Sequence, residues 1–196
     1  TQYKNMMNTV LDNMQSWGMN AIVYHVRTHN NAMYKSELNP VARWWANVDF
    51  DTFDPLEWLI EECHSRGMEF HAWMNPYRIS TDGTNFSNSV GTLPAVNPAN
   101  DENNLIKVGS SVIFNPGSQV VRDFLVETCM EVVENYDVDA IHFDDYFYIS
   151  GYSGPETANE KRTNVDMFIE SLHNALVDYN TKNNKAVQLG ISPSGI

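Results

Sequence analysis

A chain of 196 residues with 42% hydrophobic and 12% aromatic residues has room for one domain with a substantial core. Its 25 acidic and 12 basic residues give a formal charge of −13, which repels phosphate backbones and argues against nucleic acid as a partner. No apolar run approaches the roughly 20 residues that cross a bilayer, and Cys63 and Cys129 fall on apolar faces of predicted helices, where thiols usually pack as small hydrophobes.

Apolar residues at helical spacing predict four helices. The second has the clearest start, because Asp54 is placed to cap it, Pro55 takes the first helical position and Glu57 follows the cap by three residues. Ser118 is the corresponding cap of the third helix. The four apolar stripes cover residues 3–14, 56–63, 121–133 and 165–176.

A short apolar run of strand length follows each helix almost at once. Alternating helices and strands are typical of a parallel sheet with crossover helices. The turns from the first three helices into their strands take about two to three residues, whereas the connections after the strands take about 25, 40 and 15, against a usual median of about 4 to 6. The long connections therefore lie at the carboxyl ends of the strands, where barrels and open α/β sheets build their sites. The runs are NAIVYHV (20–26), MEFHAWM (68–74), VDAIHF (138–143) and AVQLGIS (186–192).

The longest connection, from about 76 to 117, is rich in Asn, Ser, Thr, Gly and Pro. Such a segment could link two domains. Because the helix-strand alternation resumes in the same style on its far side, we interpret it as a lid or binding loop within a single domain over residues 1–196.

Side chains alternate along a strand, so residues of the same parity share a face. In each predicted strand one parity is mostly apolar, and the other turns polar toward the carboxyl end. We expect the apolar set to pack on the helices and the polar set to point inward to a common mouth. The polar parity comprises His25 and Arg27, then His71, Trp73 and Asn75, then His142 and Asp144, and finally Ser192.

The stretch FDDYFY places Asp144 on the inward parity, and Asp145 begins the loop above it. Two carboxylates this close disfavour each other's ionisation, and burial acts in the same direction, so one could donate a proton near neutral pH while the other stays charged. Arg27 or Arg78 nearby would oppose this by stabilising both anions. In the alternative interpretation only Asp144 is functional, and Asp145 caps the loop or pairs with an arginine.

Aromatic and basic side chains surround this pair in the predicted connections. Flat rings with polar edges suit the faces and hydroxyls of a sugar, although the same rings could instead seal the rim of the sheet. Arg78 offers a five-donor fork for a carboxylate or for several hydroxyls. Arg122 is poorly placed for the dipole of the third helix, so we expect it to pair with a carboxylate. The rings are those of Trp44, Trp45, Tyr77, Tyr146, Phe147 and Tyr148.

The motifs HAWMNPYR, FNPGSQVVRDFLVE, ENYDVDAIHFDDYFY and LGISPSGI closely resemble the glycoside-hydrolase-like family 10, also called the domain-of-unknown-function 187 family. The resemblance covers nearly the whole chain and implies a (β/α)8 TIM barrel that hydrolyses glycosidic bonds, present here as about strands two to five with their helices. Bacterial members include an envelope hydrolase that cleaves peptidoglycan strands stripped of their peptides. The resemblance therefore also implies that substrate class and a secreted or cell-envelope location. The family pattern QVRP reads HVRT here, at residues 25–28.

The strand ends and the resemblance together give the predicted site. We expect Asp144 to be the nucleophile or base, and Asp145 its acid partner or a ligand to a sugar hydroxyl, in which case the acid would lie on a later strand of the barrel. His142 and His71 would bind hydroxyls or orient the carboxylates, and a structural role is an equal alternative for His71. No metal or other cofactor is expected. The predicted substrate-binding residues are Arg27, His71, Asn75, Tyr77, Arg78, Asn115, His142, Tyr146, Tyr148 and Ser192.

Other functions stay open from the sequence. A non-catalytic module would bind glycan without turnover, and a doubly wound nucleotide-binding fold is disfavoured because no glycine-rich turn follows a strand. Four strands leave two open edges, so we also predict a homo-oligomer through these edges or a longer native chain. A metal-dependent hydrolase would use His25, His71, His142 and Asp144, although no two histidines stand one helical turn apart.

Overall fold

The computed structural model describes residues 2–86 and 88–193. Its main sheet has four parallel strands, in spatial order Ala21–Arg27, Glu69–Met74, Ala140–Phe143 and Gln188–Ile191, and its second sheet has three antiparallel strands, in spatial order Arg78–Ser80, Ser111–Phe114 and Leu105–Val108. One helix precedes each strand of the main sheet, so the predicted alternation is confirmed. In chain order the elements are α1 (Gln2–Ser16), β1 (Ala21–Arg27), α2 (Pro55–Ser65), β2 (Glu69–Met74), β3 (Arg78–Ser80), β4 (Leu105–Val108), β5 (Ser111–Phe114), α3 (Gln119–Asn135), β6 (Ala140–Phe143), α4 (Ala158–Asn183) and β7 (Gln188–Ile191).

The helices after the long connections begin at side-chain caps, which satisfy backbone N–H groups of their first turns. Asp54 caps α2, and Ser118 caps α3, as predicted. Thr157 and Glu160 form a reciprocal capping box at the start of α4, which is longer at both ends than its apolar stripe. None of the helices in the described ranges is long and apolar enough to cross a membrane.

The core lies between the main sheet and its helices. Phe70, Ala72 and Met74 of β2 alternate with partly exposed residues and are buried, as are Ile141 and Phe143 of β6. The predicted apolar parity of these strands is therefore confirmed. Both cysteines are free and buried, as expected of small hydrophobes.

A β-bulge interrupts β1 at its carboxyl end. His25 is aligned with Trp73, but Arg27 is aligned with Met74, so Val26 has no counterpart on β2. A bulge of this kind reverses the facing of the residues that follow it. Arg27 therefore lies with Met74 on the helical side and is fully buried. The prediction that Arg27 points inward to the mouth beside His25 is wrong for this reason.

The long connection after β2 contains the second sheet, which we did not predict. Its strands have only three or four residues, too few for a period to be visible. The backbone N–H of Phe114 donates to the carbonyl of Tyr77 at 2.9 Å, which joins this sheet to the segment following β2. The segment predicted as a lid or binding loop is thus a folded layer beside the mouth.

Candidate active site

Asp144 is the first residue after β6, and Asn75 is the first residue after β2. The side-chain amide of Asn75 donates to both carboxylate oxygens of Asp144, at 3.1 and 3.3 Å, and the backbone N–H of Tyr146 donates at 3.0 Å. Asn75 is fully buried, whereas Asp144 is only partly buried. The structure therefore brings together two predicted site residues that are far apart in sequence and fixes the orientation of the carboxylate.

Two further predicted residues complete this arrangement. The side-chain oxygen of Asn75 accepts the backbone N–H of Arg78 at 3.2 Å. The guanidinium of Arg78 lies over the ring of Tyr146, 4.5 Å from its centroid. Asn75, Arg78, Tyr146 and Asp144 thus form a closed ring of contacts, which we call the mouth cluster.

The charge of Arg78 acts on two histidines whose pKa values are lowered. Burial, aided by the positive charge of Arg78 and opposed by Asp144, lowers the pKa of His25 to about 4. Burial and the charges of Arg78 and Arg27 lower the pKa of His29 to about 4 as well. Both imidazoles are therefore neutral near pH 7. His25 also stacks on Trp73, with ring centroids 4.0 Å apart.

His142 and His71, the other two histidines predicted to point inward, have different hydrogen-bond partners. His142 shares a hydrogen bond of 2.9 Å with Ser192, and burial together with nearby His71 lowers its pKa while Asp144 opposes the shift. His71 instead bonds to Glu69, two residues toward the amino end of β2, at 2.9 Å. This contact favours the structural role for His71.

Asp145, Tyr148 and Asn115 lie on connections at the same end of the sheet. Asp145 is exposed. The Tyr148 hydroxyl accepts a hydrogen bond of 3.2 Å from Asn164. Asn115 closes the turn before α3, because its side-chain oxygen accepts the N–H of Gly117 at 2.9 Å.

Tyr77 does not line the mouth. Its side chain is fully buried and packs edge-on against Phe147 and Phe168. Burial raises the pKa of its hydroxyl. The prediction that Tyr77 binds substrate is wrong, because the segment after β2 turns this ring into the core beneath the mouth.

Arg27 holds the backbone that carries Asn75 of the mouth cluster. Its guanidinium donates to the carbonyls of Asn75 and Pro76, at 2.6 and 3.0 Å, and to the side chains of Asn39 and Asn30, at 3.1 and 3.3 Å. All its donor nitrogens therefore serve buried protein acceptors. Arg27 positions Asn75, and the prediction that it binds substrate is corrected.

The sequence interpretation missed the asparagines of this network. Asn30 and Asn97 exchange two hydrogen bonds of 3.0 Å, which tie the connection after β1 to the connection after β2. A signal was present, because an asparagine precedes a proline at positions 39, 75, 97 and 115, all in the long connections. The backbone of a residue before a proline is restricted to extended conformations. A side chain on such a fixed backbone is well suited to keep one hydrogen-bonded contact.

The contacts of Arg122 differ from the expected ion pair. Arg122 donates to the carbonyl of Pro116 and to the side chain of Gln119, both at 2.7 Å, and the described residues give it no carboxylate partner. Its predicted salt bridge is therefore wrong, because the turn before α3 already supplies acceptors.

Over residues 2–86 and 88–193 no three His, Cys, Asp or Glu side chains are grouped so that they could hold a metal ion. The metal-dependent alternative thus has no ligand set in that part of the chain.

Comparisons with known proteins identify the family of the chain. The family described as Glycosyl hydrolase-like 10 matches residues 1–188. The chain is 35% identical to Glycosyl hydrolase YngK of Bacillus subtilis strain 168 and 29% identical to Glycosyl hydrolase DigH of Escherichia coli K12. Each match covers 95% of this chain but only 39% and 46% of the respective relative, so the chain spans less than half the length of either.

Solved structures show the same fold. The α-galactosidase of Lactobacillus brevis superposes with a TM-score of 0.56 at 15% identity, over 96% of this chain and 24% of that chain. A GH36 α-galactosidase of Geobacillus stearothermophilus superposes with a TM-score of 0.57 at 12% identity, over 96% and 26%. The resemblance and the TIM-barrel fold class predicted from the sequence are confirmed.

Proposed function

The chain belongs to the glycosyl hydrolase-like 10 family, and on that premise we propose that it hydrolyses glycosidic bonds in a bacterial cell-envelope polysaccharide, with peptide-free peptidoglycan strands as the substrate. The observation that carries this proposal is the carboxylate of Asp144, held by Asn75 and by the Tyr146 N–H at the carboxyl end of a parallel sheet. In barrel enzymes this end of the sheet carries the chemistry.

Glycoside hydrolysis uses one carboxylate as nucleophile or base and one carboxylic acid that protonates the leaving oxygen. Asp144 fits the first role, because its oxygens accept hydrogen bonds that orient it while part of the group stays exposed. Asp145 is exposed on the loop above, and we assign it the role of the acid or of a ligand to a sugar hydroxyl. The distance between the two reacting carboxyl groups would determine whether the product retains or inverts its configuration.

The groups around Asp144 suit a sugar. Tyr146 and Tyr148 are partly exposed rings on the loop after β6, and an aromatic face can stack on a sugar ring while its hydroxyl bonds to the sugar edge. The bonded pair of His142 and Ser192 and the neutral imidazole of His25 add donors and acceptors without charge. A polysaccharide substrate of the envelope would place the protein outside the cytoplasm, as secreted or envelope-bound.

The test is incubation of the protein with peptide-free glycan strands, prepared by removing the peptides from purified sacculi, followed by mass spectrometry of the soluble products. We expect released oligosaccharides from these strands and fewer from sacculi that keep their peptides. Binding of the strands without any released product would contradict hydrolysis and leave the non-catalytic glycan-binding module as the function.

A further inference from the structure

The guanidinium of Arg78 contacts an aromatic ring at the mouth but no anion among the described residues. No ion pair among the described residues includes Arg78, and no acceptor in that part of the chain takes a hydrogen bond from its side-chain nitrogens. The side chain is partly exposed, in a protein with a net charge of −13 and 25 acidic against 12 basic residues. An arginine left without a carboxylate in such a chain is available for an anion from outside.

The position of this guanidinium is fixed relative to Asp144. The Arg78 backbone is held by Asn75, the same side chain that holds the Asp144 carboxylate, and its guanidinium rests on the ring of Tyr146. The guanidinium carbon lies 4.5 Å from the ring centroid, and a guanidinium held on a ring can still use its N–H edges for a partner in its own plane. A planar carboxylate can accept two parallel hydrogen bonds from such an edge.

We propose that Arg78 recognises a carboxylate carried by a sugar of the substrate, so that the mouth selects an acidic glycan over a neutral one. This inference rests on the proposed function and adds the residue that would select the substrate by its charge. The bond to a carboxylate is charge-assisted and about twice as strong as a bond to a neutral hydroxyl. The pKa values of the neighbouring His25 and His29 are lowered, so of these three side chains Arg78 carries the positive charge that such an anion would meet.

Two kinds of sugar carry this group, one with an ether-linked acid side chain, as in peptide-free peptidoglycan strands, and one with a ring carboxyl, as in a uronic acid. Calorimetric titration of the Asp144→Asn protein, which should bind glycans without cleaving them, compares four ligands of equal length. These are a peptide-free peptidoglycan tetrasaccharide, the same tetrasaccharide with its carboxylates converted to amides, chitotetraose and a tetrauronate.

We expect at least one of the two acidic ligands to bind about 10- to 100-fold more tightly than the amide form and chitotetraose. Adding Arg78→Gln should abolish that preference, and Arg78→Lys should retain part of it, because lysine keeps the charge but loses the fork. The matched control is Arg162→Gln on α4, which removes one positive charge from an exposed position and should leave the preference unchanged. Thermal unfolding checks that each variant is folded.

Equal affinity for acidic and neutral ligands, or a preference that persists in the folded Arg78→Gln protein, would overturn the inference. Turnover by the unmodified protein separates this failure from failure of the proposed function. Equal cleavage of peptide-free strands and chitotetraose would refute selection by Arg78 and leave glycoside hydrolysis standing. Selective binding that depends on Arg78, without cleavage of any ligand, would support the inference and refute hydrolysis.

Discussion

Replacing Asp144 by asparagine should lower the turnover of peptide-free glycan strands by about 10³-fold or more, because a catalytic carboxylate is lost. The amide of asparagine keeps the size of the side chain and can still accept a hydrogen bond from Asn75, so the fold should persist. We therefore expect the affinity for glycan and the thermal unfolding temperature to change little. Product release per unit time, measured beside calorimetric binding, checks both parts of this expectation.

Two variants control this result. Asp178→Asn makes the same chemical change at an exposed position near the carboxyl end of α4 and should leave turnover unchanged. Asp145→Asn tests the neighbouring carboxylate, and a loss in that variant would identify Asp145 as the acid or as a substrate ligand. Full turnover by Asp144→Asn would remove Asp144 from the chemistry.

Replacing Arg27 by methionine should lower the free energy of unfolding by at least about 4 kcal/mol, since each of four buried acceptors loses its donor at a cost of about 1 to 3 kcal/mol. Four acceptors are affected, namely the carbonyls of Asn75 and Pro76 and the side chains of Asn39 and Asn30. Turnover should fall as well under conditions where the variant is folded, because Asn75 loses its support and holds Asp144 less well. Urea unfolding followed by circular dichroism measures the first effect.

The matched variant is Arg122→Met, which removes another buried arginine with only two acceptors, Pro116 and Gln119. We expect a smaller loss of stability there, because fewer acceptors are left without a donor. Equal stability of the Arg27→Met protein and the unmodified protein would show that this network does not hold the mouth together.

Much of this architecture follows from periodicity. The helical spacing of apolar residues and the short runs after them predict the four helix-strand units, since each element must bury one face against the others. Parity within β2 and β6 then predicts that Asn75 and Asp144 point inward from adjacent strands. Their hydrogen bond in the structure agrees with that prediction.

Other features of the structure could not be predicted from periodicity or strand parity. A bulge after His25 reverses the facing of Arg27, and parity cannot detect one extra residue in a strand. The buried ring of Tyr77 depends on how the segment after β2 turns, which is determined by the second sheet and not by local pattern. Strands of three and four residues such as β3 and β5 carry too short a pattern to be predicted.

The most direct test of the reacting group is chemical rescue of Asp144→Ala by a small external anion. Truncation to alanine leaves a space where the carboxylate was, and azide or formate can enter it and act as nucleophile or base in its place. We predict that either anion restores a measurable part of the turnover of peptide-free strands in Asp144→Ala and does not raise the turnover of the unmodified protein. An Asp144→Ala protein that is folded and binds glycan but is not rescued would contradict the assignment, most clearly if Asp145→Ala were rescued instead.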